Sequence, residues 1–281
     1  MKPPQAVYAM TTATPYPRPE TALSLAADTE PRGLFKRDVF GVQVTAAGPQ
    51  AVVDQVMAWA RRRESRAVDF MPVHGLIEAV RAPEHRRVMN AFDVVACDGQ
   101  PVRWALNRFH DAGLDERVYG PTTMLRVCER CADEGVRIYL YGGKPEVLDA
   151  LRKKLSAQMP NLQIAGAESP PFRPLTEEED RDAVERINAS GAGVVFLGLG
   201  CPRQEAFAHA HRDRIRGVQL CVGAAFDFHA GAVKQAPAWM QKRGLEWLYR
   251  LTREPGRLWK RYLVTNSMFV ALFVLRWIRR K

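Results

Sequence analysis

The sequence predicts an α/β fold: a Rossmann-like, mostly parallel sheet with helices on both faces, followed by a C-terminal helical appendage. Three observations predict it. Short continuous apolar runs such as DVVAC (93–97), RIYLY (137–141) and GVVFL (193–197) alternate with amphipathic stretches of helical period. Strands covered on both faces read as unbroken apolar runs, and alternation with helices marks parallel crossovers. Several runs also stop at small or acidic tips: Asp98-Gly99, Gly142-Gly143, Gly198-Leu199-Gly200 and Gly223. In open α/β sheets ligands sit beyond the carboxyl ends of the strands, so these tips are expected to share one crevice. Finally, composition changes at Gln235, where aromatic and basic residues crowd together ahead of an apolar tail.

The elements follow in order. Residues 1–33 hold proline at positions 3, 4, 15, 17, 19 and 31 and show no apolar run behind a basic start. They read as a disordered leader and not as a secretory signal. Residues 34–234 form the α/β domain and 235–281 the appendage. Arg37–Ala46 is extended or a hairpin. Pro49–Arg63 is a helix with proline in its first turn. Val68–Val73 is a strand, and His74–Ala91 is a helix interrupted near Pro83. Asp93–Cys97 is a buried strand, Thr122–Glu134 a helix, Arg137–Tyr141 a strand and Pro145–Gln158 a helix. Leu162–Ala165 is a strand. Thr176–Ala189 is a helix whose Thr176 and Glu179 have capping-box spacing. Gly193–Leu197 is a strand, Pro202–Arg214 a helix and Val218–Val222 the last strand.

The chain carries a formal net charge of +10. Between Trp239 and Lys281 stand eleven Lys and Arg residues against two acids, Glu246 and Glu254, so this segment holds nearly all of the charge. Charge this localised implies an anionic partner at one place. The same segment carries four of the six tryptophans, a residue that favours the membrane–water boundary. Its uncharged run, Tyr262–Leu275, is about 21 Å long as a helix, short of the roughly 30 Å hydrocarbon core. The reading is an in-plane anchor on an anionic membrane surface. A terminal helix packed on the core, or on a partner subunit in a homo-oligomer, is the alternative. Arg250, Arg253, Arg257 and Arg261 recur near one helical turn and could neutralise a diphosphate, unless Pro255-Gly256 breaks their register.

The five cysteines (97, 128, 131, 201, 221) are odd in number and scattered, which fits reduced thiols in the cytoplasm. Cys128 and Cys131 fall in a helical pattern with no second pair, and read as a packed face, not a zinc site. The six histidines show no metal spacing, and Asp227-Phe228-His229 is not a DxD motif.

Gly198-x-Gly200-x-Pro202-x-Gln204-Glu205 follows a strand and opens a helix. Small residues there admit a phosphate to the backbone, and free N–H groups favour an anion. Arg203 occupies the third glycine's place in a dinucleotide fingerprint, so that fingerprint is absent. Gln204 and Glu205 are candidate ligand contacts. Asp98, beside Gly99, is placed as a general base, with an N-cap or Asx turn as its structural alternative. Asp227 is a second carboxylate at a strand end.

Taken together, CDG at 97–99, GLGCPRQE at 198–205, GAAFDFHAG at 223–231 and APAW…GLEWLYRLTREPGRLWKRY from 236 to 262 resemble the WecG/TagA/CpsF family of bacterial glycosyltransferases. The resemblance spans roughly Phe40 to Tyr262. It implies transfer of a sugar from a UDP-sugar to a polyprenyl-diphosphate-linked sugar, at the cytoplasmic face of the membrane, with inversion and without a metal or other cofactor. It makes Asp98 the base, Gln204 the glutamine of the P-x-Q-E turn, and Arg250 and Arg257 the arginines that stabilise the leaving group. Substrate contacts are expected from His74, Gly99, Gly142, Gly143, Gly198, Gly200, Gln204, Glu205 and Asp227. The chain departs from the family pattern at Pro72-Val73-His74, where Thr-x-Asn is usual, at Gln235, where an arginine is usual, and at Pro121-Thr122-Thr123, where an Asp is common. Two alternatives stand beside this reading. A nucleotide-binding enzyme of another reaction class is weakened by the missing fingerprint. A nucleic-acid-binding protein is weakened by the apolar Met268–Leu275 stretch; no nucleic-acid partner is expected.

Overall fold

The computed structural model describes residues 34–279; the expected leader falls outside the described residues, as do the side chains of Ala238, Lys242 and Arg257. The described chain opens with a hairpin, β1 (Lys36–Val39) and β2 (Val42–Thr45). Then come α1 (Pro49–Arg61), β3 (Arg66–Met71), α2 (Val73–Arg81), α3 (Pro83–Ala91) and β4 (Val94–Cys97). The middle of the chain forms α4 (Gln100–His110), α5 (Gly120–Glu134), β5 (Ile138–Gly142), α6 (Pro145–Gln158), β6 (Ile164–Glu168), α7 (Glu177–Ala189) and β7 (Val194–Gly198). It continues through α8 (Arg203–Ala210), β8 (Val218–Cys221) and α9 (Ala225–Ala230) to α10 (Ala238–Lys242), α11 (Glu246–Arg253) and α12 (Pro255–Arg279).

The strands make one sheet in the order β1-β2-β4-β3-β8-β7-β5-β6. Among the described residues only β1 and β2 pair antiparallel; every other neighbour is parallel. The α/β reading is therefore correct. The central strands β3, β4, β5, β7 and β8 are buried almost throughout, which is why their sequences show no alternation. Edge strand β6 is half exposed and shifts register against β5. Its weak pattern explains why the sequence places it two residues early.

Local chemistry accounts for the other boundaries. The expected His74–Ala91 helix is two helices. Ala82, driven to an extended conformation (φ −115°, ψ 102°) by the following proline, ends the first, and Pro83 opens the second. The helix α4 is new relative to the sequence reading. Pro101 sits in its first turn, and Val102, Ala105, Leu106 and Phe109 bury one face at helical spacing. Thr176 and Glu179 do form a reciprocal capping box, at 3.2 and 2.9 Å. Cys128 and Cys131 are buried on α5, with Cys131 Sγ 3.9 Å from Met57 Sδ, so the pair is a packed face.

The appendage is three helices. A break between α11 and α12 at Glu254-Pro255 separates Arg250 from Arg257 and Arg261, so the four arginines do not share one continuous helix face. The 25-residue α12 runs well past the uncharged stretch at both ends, because Lys and Arg are themselves good helix formers. Its Leu258–Arg279 portion is, by length and composition, apolar enough to cross a membrane. One face nonetheless packs on the domain. Phe269 meets Phe40 at 5.7 Å between ring centroids, Phe273 meets Phe109 at 4.8 Å, and Arg276 pairs with Asp38 at 2.9 Å.

Candidate active site

Five strands deliver their carboxyl ends to one cavity of about 1130 Å³. His74 follows β3, Asp98 and Gly99 follow β4, and Gly143 follows β5. Gly198 closes β7, ahead of Gly200, Gln204 and Glu205, and Asp227 lies on α9 beyond β8. Arg250 enters from the appendage. Ten of the residues expected from sequence are thereby brought together.

Gly142 does not line the cavity. It pairs in register with Gly198 at φ +123°, and a Cβ there would stand 2.6 Å from the Gly198 carbonyl carbon. A Cβ on Gly198 would in turn lie 2.5 Å from the Phe226 ring. The two glycines let β5 and β7 close up beneath the site. For Arg257 the helix position is described but the side chain is not.

Asp98 presents a strongly perturbed carboxyl to the cavity. Loss of solvation pushes its carboxyl up to about 7; Arg117 opposes the shift, Glu246 adds to it, and the N–H of Gly120 at the start of α5 opposes it again. Arg117 donates from Nη1 to the Asp98 carbonyl oxygen at 3.2 Å and stands 3.7 Å from its carboxylate. Through Nη2 it donates to Glu246 Oε2 at 2.7 Å, and Tyr119 Oη donates to Glu246 Oε1 at 2.9 Å. Burial raises the Tyr119 phenol, so it stays protonated and able to donate. One acid of the basic appendage is thus tied to the counter-ion of the candidate base.

His74 is held neutral. Burial first, then Arg261 and Arg250, lower it to about 3. Both guanidinium groups line the cavity, and neither forms an ion pair among the described residues. Arg261 Nε is buried with no hydrogen-bond partner among those residues. Such cations suit a phosphorylated ligand.

The Gln204 turn is rigidly tied. Gly200 N–H donates to Gln204 Oε1 at 3.2 Å, and Gln204 Nε2 donates to Glu205 Oε1 at 3.0 Å. Behind it lies Asp69 on β3, raised well above the usual range by burial and then by the negative charges of Glu205 and Asp98. Glu205 is raised chiefly by burial. Two carboxyls so placed favour a shared proton over two charges. At the rim, Arg203 lies over the Phe172 ring at 5.1 Å.

Sequence reading missed Arg117, Tyr119, Glu246 and Asp69. The available signals were Glu246, one of only two acids in a cationic segment, and an aspartate inside the apolar run AVDFM.

A crevice at the strand ends, walled by glycines, a neutral-range carboxyl and guanidinium groups with no ion pair among the described residues, fits an enzyme that transfers a group away from a phosphorylated donor. The model of the Glycosyl transferase WecG/TagA/CpsF family matches residues 37–281, and the chain belongs to that family. It is therefore a glycosyltransferase of polysaccharide biosynthesis, and the match extends past Tyr262, where the resemblance drawn from motifs stops, through the whole of α12.

Proposed function

We propose that the protein moves a sugar, N-acetylmannosamine, its uronic acid or a similar residue, from a UDP-sugar to a polyprenyl-diphosphate-linked sugar. It does so with inversion, without a metal ion or other cofactor, at the inner face of the plasma membrane. The observation that carries the reading is Asp98, poised near neutrality in the same cavity as Arg250 and Arg261.

In this mechanism the acceptor hydroxyl gives its proton to the Asp98 carboxylate as its oxygen attacks the anomeric carbon. The bond from that carbon to the donor's β-phosphate oxygen breaks, and the electron pair leaves with UDP. Attack from the face opposite the leaving group inverts the centre. Arg250, with Arg257 from the next helix, stabilises the charge that develops on the diphosphate. The glycine tips at 143, 198 and 200 let the donor approach the backbone, and Gln204 and Asp227 hold its polar groups. A base with pKa near the working pH is well matched to this proton transfer.

The exposed apolar residues of α12 and the cationic segment support residence at an anionic membrane surface. The test is UDP release by the full-length protein in EDTA, with a panel of UDP-sugars and a short-chain polyprenyl-diphosphate-sugar. Release from one donor that depends on acceptor is expected. Release only after a divalent ion is restored would overturn metal independence, and no release from any donor with membranes supplied would overturn the substrate assignment.

A further inference from the structure

The cavity reaches from the glycine tips to α4 and α12. At about 1130 Å³ it exceeds the roughly 300–1,000 Å³ of single small-molecule sites. Pro101 and Trp104 of α4 line it from one side, and Tyr262, Asn266, Val270 and Phe273 of α12 from the other. The α12 residues fall at helical spacing, so a single stripe faces the space over eleven rises, roughly 16 Å. This lane starts beside Asp98, where α4 begins at Gln100. Phe269 and Phe273 line it with their rings, and Phe40 and Phe109 pack behind them at 5.7 and 4.8 Å between ring centroids. Arg250 lies near enough to act on Asp98, and Arg250 and Arg261 both act on His74, so these cations line the cavity near the Asp98 end.

We infer that the lane between α4 and α12 holds the hydrocarbon chain of the acceptor, next to its diphosphate. The inference rests on the acceptor class proposed above. Two features select that occupant. An apolar lane ending at guanidinium groups that form no ion pair among the described residues matches an amphiphile with a diphosphate head and an apolar tail. The outer edge of the lane, at Val270 (58 % exposed), is continuous with the exposed apolar side of α12 at Val274 and Trp277. A chain can therefore pass from a membrane surface into the lane without crossing water.

The experiment is calorimetric binding of farnesyl diphosphate and of dimethylallyl diphosphate to the full-length protein, with UDP binding as the measure of an intact domain. Farnesyl diphosphate is expected to bind at least about tenfold more tightly, because its additional carbons leave water. Val270→Glu, and independently Trp104→Ala, should erase that preference while UDP still binds. Leu275→Ser, on the exposed side of α12 outside the cavity, should leave the preference intact. Equal affinity for the two diphosphates overturns the inference, as does a preference that survives Val270→Glu and Trp104→Ala or disappears with Leu275→Ser. A lane covered by a second copy of the chain would show as a dimer that Val270→Glu dissociates and farnesyl diphosphate does not, which also overturns it. A preserved chain-length preference without sugar transfer would instead sink the substrate assignment and leave the lane standing.

Discussion

The Glu246 carboxylate lies 2.7 Å from the Arg117 guanidinium, closer than the 3.7 Å that separates the same guanidinium from the Asp98 carboxylate. Glu246 belongs to the appendage and Asp98 to the sheet, so their competition for one cation links the two parts of the molecule electrostatically. With Arg117 directed to Glu246, desolvation prevails at Asp98, and its carboxyl titrates near neutrality. The appendage thereby helps to set the acid–base state of the site in addition to supplying cations to it.

Replacing Asp98 by asparagine keeps the shape and removes the proposed proton acceptor. Turnover should fall by about 10²- to 10⁴-fold, with UDP affinity retained. A well-folded Asp98→Asn variant with full turnover would place the base elsewhere.

The pH dependence of kcat/KM should show an acid limb near 7, with activity rising with pH, because the proposed mechanism uses the Asp98 carboxylate. Glu246→Gln removes a negative neighbour and releases Arg117 toward Asp98. Both changes favour the carboxylate, so the limb should move to lower pH. A pH–rate profile that coincides with that of the parent protein would show that Glu246 does not tune Asp98.

The same residue predicts a stability difference. The folded-state pKa of Asp98 lies above its ordinary value of 3.8, so ionisation is resisted by the fold. Stability attributable to the protonated form is complete below about 4 and is lost as pH rises through about 7. Thermal melts should therefore show Asp98→Asn gaining on the parent protein between about pH 4 and pH 8. A constant difference across that range would contradict the shift.

Gly142→Ala forces a Cβ to within 2.6 Å of the Gly198 carbonyl carbon at φ +123°. The strand ends must part, and a loss of about 2 kcal/mol or more is expected from the strain. Chemical denaturation measures it. Wild-type stability in this variant would mean that β5 and β7 tolerate separation, and that Gly142 is dispensable to the floor of the site.

On α12, Val264, Leu275 and Ile278 are exposed, while Phe269 and Phe273 pack on the domain. Substituting serine at the three exposed positions should reduce co-sedimentation with anionic vesicles without unfolding the protein, since no core contact is removed. Undiminished vesicle binding at low and at moderate salt would assign membrane contact to another surface.

Much of the site was legible in the chain because its parts are backbone signals. Asp98-Gly99 and the Gly198–Glu205 turn each end an apolar run, and strand ends in a parallel sheet converge by topology. The capping box at Thr176 and Glu179 was legible for the same reason, being local. Helix α4 was hidden behind an expected strand-end turn, although its apolar spacing and Pro101 were on the page. Arg117 and Glu246 were not legible as a pair, since 129 residues separate them and neither sits in a periodic pattern.

By itself, the sequence determined the alternation of strands and helices, the glycine and aspartate strand tips, and the segregation of positive charge into one terminal segment. These follow from local propensity, apolar period and composition, which act over a few residues. Tertiary structure alone decided which carboxyl loses its water, which cation it keeps and which face of α12 turns inward. Those outcomes depend on distances between segments remote in the chain. The Asp98–Arg117–Glu246 contact and the lane between α4 and α12 exist only once the appendage has packed against the sheet's carboxyl end.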